Sequence, residues 1–369
     1  MSVQVSYKKQ ITIFIFLFLI LLSALEIGAR ILEYSQVNEC EFLGKDAMKN
    51  VEKIKQNQIC KDNNSIIYEV DGVLRLAPNQ NMETININSY GFRGVDFSEK
   101  KDSDVYRIFI IGGSTAFGSG STSDDTTIAA FLQEKIRESH VDQKIEIINA
   151  GIGSAYSFSE KYLIENYLIK FQPDLIIIYS GVNDAHNRFG EEYEVPGMSA
   201  DIVILAPDPT DFTNKVKKVI KEINYRTPFV VSKIIGKVNA GFQINNTSKN
   251  QVQELWTSRM GEICEGNKKN GIKTIILVQP ILGSGNKHLS IEEKILLENY
   301  GDYMINTLDI LDKIADSLIK LENTCDGTYD LRTSFDDITE SLFFDHAHVN
   351  NLGNEIIAEE INKILTNHM

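Results

Sequence analysis

Cysteine is scarce in this chain and positive charge is in deficit. The 369 residues include only four cysteines, Cys40, Cys60, Cys264 and Cys325. They form no CxxC pair, and no histidine stands at zinc spacing from any of them, which argues against a metal site. Lysine and arginine number 37 against 51 acidic residues, a formal charge of −14. A nucleic-acid binder needs the opposite, a basic footprint that displaces counterions. Only seven prolines accompany 24 glycines, which excludes collagen-like and proline-rich repeats, and no internal repeat is evident. With 43 % hydrophobic and 24 % charged residues, the chain can bury a core, so disorder is excluded as its main state. At roughly 150 residues per domain, the length suits about two domains or one large domain with insertions.

One segment lacks charge altogether. Ile11–Leu25 reads ITIFIFLFLILLSAL, with Lys8 and Lys9 before it. Counting on through Ile27–Leu32 gives a helix of about 22 residues, near the ~20 needed to cross a bilayer, with Glu26 and Arg30 spaced to pair. The charge asymmetry favours an uncleaved signal anchor, with the two lysines inside and the bulk exported. A cleaved signal peptide is the alternative, for which Ser23-Ala24-Leu25 is a poor cleavage site; a buried core helix is the third reading. Export suits an even number of cysteines, which allows two disulfides. The expected pairs are Cys40–Cys60, close together in one short segment, and Cys264–Cys325; four free thiols are the alternative.

The expected organisation is a cytoplasmic stub and anchor over 1–32, a juxtamembrane stalk and lead-in over 33–104, and a catalytic domain over 105–369. Residues 33–100 are polar and lack long periodicity. NSYGFRG (Asn88–Gly94) suggests a tight turn packed on something. From Tyr106 the texture changes. YRIFIIGG, IEIINAG (Ile145–Gly151), DLIIIYSG (Asp174–Gly181) and GIKTIILVQP (Gly271–Pro280) read as buried strands. Helical spacing falls between them, over Thr126–Ser139 and from a capping-box pattern at Ser157–Glu160 to about Phe171. A second such pattern, Ser290–Glu293, opens a helical stretch towards Leu321, and a last helix spans about Leu352–Leu365. This alternation predicts an α/β fold, three layers with a parallel sheet covered on both faces. Residues 188–250, which hold four of the seven prolines, read as an insertion or lid.

In such folds ligands bind beyond the carboxyl ends of the strands. Three strands end there in polar, glycine-bearing loops: GGSTAFG, NAGIGS and SGVND. Ser114 follows two glycines. Gly151 and Gly153 offer backbone N–H groups with no side chain in the way, and Asn183 can donate a side-chain N–H. Of six histidines, His346 and His348 cluster in DHAH (Asp345–His348). A serine, a histidine, a carboxylate to orient it and oxyanion donors are what nucleophilic acyl transfer requires. His346 and His348 with Asp345 could alternatively hold a metal, but no further ligand cluster accompanies them.

The order GGST, NAGIGS, GVND, DHAH resembles the SGNH/GDSL hydrolases over roughly residues 105–367, and NSYGFRG behind a membrane segment looks like the lead-in of their exported bacterial members. The resemblance implies an SGNH-hydrolase, flavodoxin-like fold. It makes Ser114 the nucleophile, His348 the general base and Asp345 the residue orienting it. The oxyanion would be held by the Ser114 N–H, a glycine N–H, taken as Gly153 with Ser154 as the other choice, and Asn183. No cofactor and no metal is implied. Gly113 departs from the family, whose GDSL-type members carry Asp there. The implied activity is a membrane-tethered serine esterase removing O-acyl, above all O-acetyl, groups from an extracytoplasmic glycan. An O-acyltransferase of the same fold, a lipase or lysophospholipase using apolar runs Val203–Pro207 and Phe229–Val231, and a non-catalytic binding module are the competing readings. The expected partners are an acylated carbohydrate or other ester, and the membrane.

Overall fold

The computed structural model describes residues 6–37, 42–71, 73–139, 143–187, 249–366 and 368. The chain divides into two compact units, one of residues 1–39 and 200–244, the other of residues 40–199 and 245–369. The described part of the first is one helix, α1 (Tyr7–Val37). Tyr7–Gly28 within it is 22 residues long with a mean hydropathy of 2.6, long and apolar enough to cross a membrane as an anchor or to serve as a signal sequence. The helix passes the expected end at Leu32 because Glu33–Val37 contains neither glycine nor proline to stop it.

The second unit opens with a 3₁₀ turn, Asp46–Met48, followed by α2 (Lys53–Ser65), a helix without a clear apolar stripe that nevertheless buries Ile59, Cys60, Gln56 and Asp62. Two antiparallel hairpins follow: β1 (Tyr68–Asp71) with β2 (Val73–Leu76), and β3 (Gln80–Asn81) with β4 (Asn86–Ile87). From these hairpins Val73, Leu76, Ile85 and Ile87, and from the turn after them Phe92, join the main hydrophobic core. NSYGFRG does form a turn: Asn88 Oδ1 accepts from the N–H groups of Tyr90 and Phe92 at 3.0 Å. Gly91 has φ +81°, and a Cβ there would stand 2.7 Å from the Leu76 carbonyl oxygen.

The alternating part runs β5 (Val105–Gly112), α3 (Ser114–Phe117), α4 (Ile128–Ser139), β6 (Lys144–Gly151), α5 (Ser157–Leu163), β7 (Leu175–Ser180) and α6 (Val182–Asn187). It resumes with α7 (Lys249–Lys269), β8 (Lys273–Val278), α8 (Ile291–Asp316), β9 (Gly327–Asp330) and α9 (Asn351–Leu365). The insertion expected at about 188–250, with both of its apolar runs, lies outside the described residues except for its last two, which belong to α7. The five strands form one parallel sheet in the order β6-β5-β7-β8-β9. Every residue of β7 is buried, so both faces of the sheet are covered, as continuous β-branched strands require. This is the three-layer α/β architecture that the alternation predicts.

Two local expectations change, and one strand is added. The cap of α5 is not Ser157 with Glu160: Ser159 Oγ accepts the Tyr156 N–H at 2.9 Å, and Glu160 turns inward instead. Beyond Leu163 the helix loosens into a π turn over Ile164–Leu168 and a 3₁₀ turn over Ile169–Phe171. β9, GTYD, carries no β-branched run to announce it and is a strand because it pairs with β8. Ser290–Glu293, by contrast, caps α8 reciprocally, with Glu293 N–H on Ser290 Oγ at 3.2 Å and Ser290 N–H on Glu293 Oε2 at 2.8 Å.

Cys264 of α7 and Cys325, just before β9, form the expected disulfide across 61 residues. Cys60 is also disulfide-bonded, and Cys40 lies outside the described residues. Closing a loop of that length restricts the unfolded chain. Replacing Cys264 and Cys325 together by alanine is therefore expected to lower stability by about 2–4 kcal/mol, read as a lower urea midpoint. An unchanged midpoint would show that α7 and the β9 edge are held by packing alone.

Candidate active site

The residues of the first three blocks leave the carboxyl edges of strands β5, β6 and β7. β5 ends at Gly112, where a Cβ would stand 2.1 Å from the Tyr179 carbonyl oxygen of the neighbouring strand. Ser114 then opens α3, a helix of four residues ended by Gly118 (φ +87°), whose N–H returns to the Ser114 and Thr115 carbonyls. α3 lies on the end of β6. A Cβ on Gly151 would meet the Phe117 nitrogen at 2.1 Å, so glycine here permits the approach of the helix that starts at Ser114.

Asp345 and His348 come from far along the chain, His348 234 residues after Ser114, in a tight turn whose stems pair at Phe343↔Val349. Asp345 Oδ1 accepts the N–H groups of Ala347 (2.8 Å) and His348 (2.7 Å), and its Oδ2 accepts from His348 Nδ1 at 2.6 Å. His348 Nε2 lies 2.6 Å from Ser114 Oγ. Because Nδ1–H donates to the carboxylate, Nε2 is the ring's acceptor and can take the hydroxyl proton. Asp345 is 2 % exposed. Burial opposes its charge, but the charge of His348, its ring hydrogen bond, the nearby His346 and the backbone N–H outweigh this and hold the carboxyl well below the usual range. The ring of Phe344 stacks on that of His348, 5.9 Å between centroids and 5° between planes, which fixes the imidazole's orientation.

Asn183 is the second residue of α6. Its Nδ2 donates one hydrogen to the Ala155 carbonyl at 2.7 Å, which leaves the other for a ligand. The position a Cβ would take on Gly113 is 2.3 Å from Asn183 Nδ2 and 3.3 Å from the Ala155 oxygen. The first, second and third blocks therefore meet over Gly113, and the place a side chain would take there is filled by the asparagine amide. Of the second block, Ala155 makes this approach. Gly153 faces Tyr68, whose hydroxyl oxygen lies 2.9 Å from the place of its missing Cβ, and Ser154 sits in the left-handed region at φ +63°.

Rings gather beside His348. His346 packs edge-on against His186 (4.4 Å between centroids) and Tyr300 (5.3 Å), and His186 stacks with Tyr303 (5.3 Å). Burial first, and then the charges of His346 and His348, push the His186 imidazole down to about 3. Burial and His348 likewise lower His346 against the pull of Asp345. Near neutral pH this wall is aromatic, hydrogen-bonding and uncharged.

Several of the contacts that hold the site were not visible in the sequence. Arg93, 4 % exposed, donates from Nη1 to the Phe117 and Gly118 carbonyls (3.2 and 2.8 Å), from Nη2 to Thr84 (3.0 Å) and from Nε to Asp124 (2.8 Å). It thereby ties the NSYGFRG turn to the end of α3. Asp184, next to Asn183, accepts from both the N–H and the hydroxyl of Ser157, which Arg259 also contacts at 3.0 Å. Glu160 is fully buried nearby and accepts from Ser180 Oγ at 2.8 Å. Gln279, at the end of β8, accepts from Thr115 Oγ1 at 3.2 Å. A polar residue closing an apolar strand was the available signal for Gln279; contacts between distant segments leave no such signal for the others.

The sequence model of the family described as GDSL-like Lipase/Acylhydrolase matches residues 108–361. No curated protein matches the chain. Solved structures similar to it include that of the acetyl xylan esterase AlAXEase, 16 % identical, covering 70 % of this chain and 98 % of that one with a TM-score of 0.40. An alpha/beta hydrolase enzyme from the metagenome of Lake Arreo, Spain, is 14 % identical over 69 % and 93 % of the two chains, with a TM-score of 0.41. A catalytic mutant of an acetylxylan esterase from Geobacillus stearothermophilus is 13 % identical over 70 % and 93 %, with a TM-score of 0.42.

The inward turn of Glu160 gives a pH signature. Burial, and then the charge of Asp184, push its carboxyl well above the usual range, and burial raises Asp184 as well. The folded chain thus keeps protons that the unfolded chain has released. The stability contributed is complete below the ordinary glutamate value near 4.3 and is lost as pH rises through the folded-state value. Between about pH 5 and about pH 8 the urea midpoint of the wild type is expected to fall relative to that of Glu160→Gln; parallel curves would show that Glu160 is folded as a carboxylate.

Proposed function

The chain belongs to the GDSL-like lipase/acylhydrolase family, and from that premise we propose that it removes O-acyl groups, O-acetyl above all, from an extracytoplasmic glycan by a Ser114–His348–Asp345 acyl-enzyme mechanism. The observation that carries this reading is the unbroken chain from Ser114 Oγ through His348 to Asp345, both links at 2.6 Å.

Ser114 attacks the ester carbonyl while His348 Nε2 takes its proton, and Asp345 stabilises the imidazolium that forms. Negative charge moves to the carbonyl oxygen. The Ser114 N–H, the free hydrogen of Asn183 Nδ2 and a backbone N–H of the Gly153–Ser154 turn receive it. His348 returns the proton to the departing alcohol. Water then attacks the acyl-enzyme, with His348 again as base. The uncharged ring wall of His186, Tyr300, Tyr303 and His346 favours a neutral, hydroxyl-bearing alcohol, which is the chemistry of a sugar. The Cys264–Cys325 disulfide supports an oxidising compartment. With α1 as tether and the acidic chain repelled by anionic headgroups, the catalytic domain works outside the cytoplasm while held at the membrane by its helix.

The test is hydrolysis of p-nitrophenyl acetate by the full chain in detergent. Ser114→Ala is expected to lose at least about 1000-fold in kcat. Asn183→Ala is expected to lose about 100–1000-fold in kcat, the usual effect of removing one oxyanion donor. Wild-type rates in Ser114→Ala would refute the mechanism. Surface glycan from cells carrying Ser114→Ala should accumulate acetyl esters by mass spectrometry.

A further inference from the structure

The most completely buried ion pair among the described residues joins Lys287 to the capping-box residue Glu293 and lies outside the four blocks. The side chains of Lys287 and Glu293 are 2 % and 0 % exposed, with Nζ and Oε2 3.0 Å apart. Taking two charges out of water is expensive, and a well-packed apolar pair is commonly as stable or more so. Stability alone therefore does not explain why charge is kept here.

The hydrogen bonds indicate what it does. Besides Lys287 Nζ and the Ser290 N–H, the Glu293 carboxylate accepts, on Oε1, the backbone N–H groups of Leu342 (2.9 Å) and Phe343 (3.1 Å). Lys287 Nζ donates to the Glu340 carbonyl at 2.9 Å. The two ions therefore grip both polarities of the backbone over 340–343, two residues before Asp345. Ser290 Oγ adds a contact to Ser341 Oγ at 3.3 Å. The turn beyond is short and closed on itself, with the Phe344 N–H on the His348 carbonyl at 3.2 Å and the Asn350 N–H on the Leu342 carbonyl at 3.0 Å. A shift at its root is thus carried to the Asp345–His348–Ser114 chain. Glu293 is also the third residue of α8, where the helix dipole favours a negative charge. Burial works against that charge, but four donors hold the carboxyl below its usual range.

We propose that Glu293, charged by Lys287, is a positioning residue for the reaction, setting the distance between His348 and Ser114 by clamping the root of the turn that carries Asp345 and His348. This rests on the esterase reading above. Neither residue touches a reacting atom.

The experiment compares Glu293→Gln and the apolar double variant Lys287→Met/Glu293→Leu with wild type, on p-nitrophenyl acetate, well below each variant's melting temperature. A positioning role predicts kcat down about 10- to 100-fold with KM within about twofold, since displacement of a catalytic group by about 1 Å costs on that scale. It also predicts that the double variant stays slow even where its melting temperature equals or exceeds that of wild type. A stable double variant with wild-type kcat overturns the proposal. If the double variant does not fold, Glu293→Gln decides: it keeps an acceptor for Leu342 and Phe343 but loses the charge, and wild-type kcat in it overturns the proposal. The esterase reading has its own control. Failure of wild-type Ser114 to react with a fluorophosphonate would refute that reading, whereas labelling of wild type with equal kcat in all three proteins would refute only the clamp.

Discussion

The hydrogen bond between Ser114 Oγ and His348 Nε2 joins residues 234 positions apart, and the rest of the structure serves that requirement. A proton transfer needs its partners placed to within a few tenths of an ångström, while loops are the most mobile part of a fold. The sheet order solves part of this. β6 and β7 flank β5, so the first three blocks leave adjacent strands side by side. The chain builds outward from β5 first on one side and then on the other, which makes the edge between β5 and β7 the switch point where open α/β sheets bind ligands. The register places Gly112 opposite both Gly151 and Tyr179. Backbone pairing thereby delivers Ser114, the second-block turn and Asn183 to one place before any side chain acts.

The fourth block has no strand of its own, and buried polar and charged groups take the strand's place. Glu293 holds the N–H groups at the root of the DHAH turn, Arg93 holds the carbonyls at the end of α3, and Asp184 holds Ser157 of the second-block loop against α6. In each case a group buried at considerable desolvation cost ends on a backbone or hydroxyl group of a block. An apolar side chain could fill the same volume, but it could not choose one position of a peptide group over another a fraction of an ångström away.

This division explains what could be read from the sequence. The strands, the polar loops at their ends and the order Ser, Gly, Asn, Asp-x-x-His are local: an apolar run followed by glycine is legible within eight residues. So is Ser290–Glu293, whose partners are three residues apart. The bonds from Glu293 to Leu342 and Phe343, 49 and 50 residues on, have no period and no composition, and neither does the reach of Arg93 to Gly118. Ser157-Phe-Ser-Glu160 shows the converse. The pattern of a capping box is present, yet Glu160 is drawn to Ser180 in the core and Ser159 takes the cap. Residues 53–65 lack an apolar stripe, and their helix forms because Ile59 and its neighbours find a surface that the sequence does not display.

Gly113 brings these arguments together. Its missing side chain is no requirement of the backbone, since its φ of −77° suits any residue. It is a requirement of volume: Asn183 Nδ2 occupies the place of the Cβ. An aspartate there would have to displace the amide, and with it the bond to Ala155 that joins the second and third blocks. The residue before Ser114 is thus a glycine that admits the asparagine amide, and the carboxylate linked to the serine through His348 is Asp345. In the ring wall, burial keeps His186 uncharged. In the proposed reaction the buried Asp345 carboxylate, acting through His348, and oriented N–H groups supply the fixed dipoles that a developing oxyanion requires.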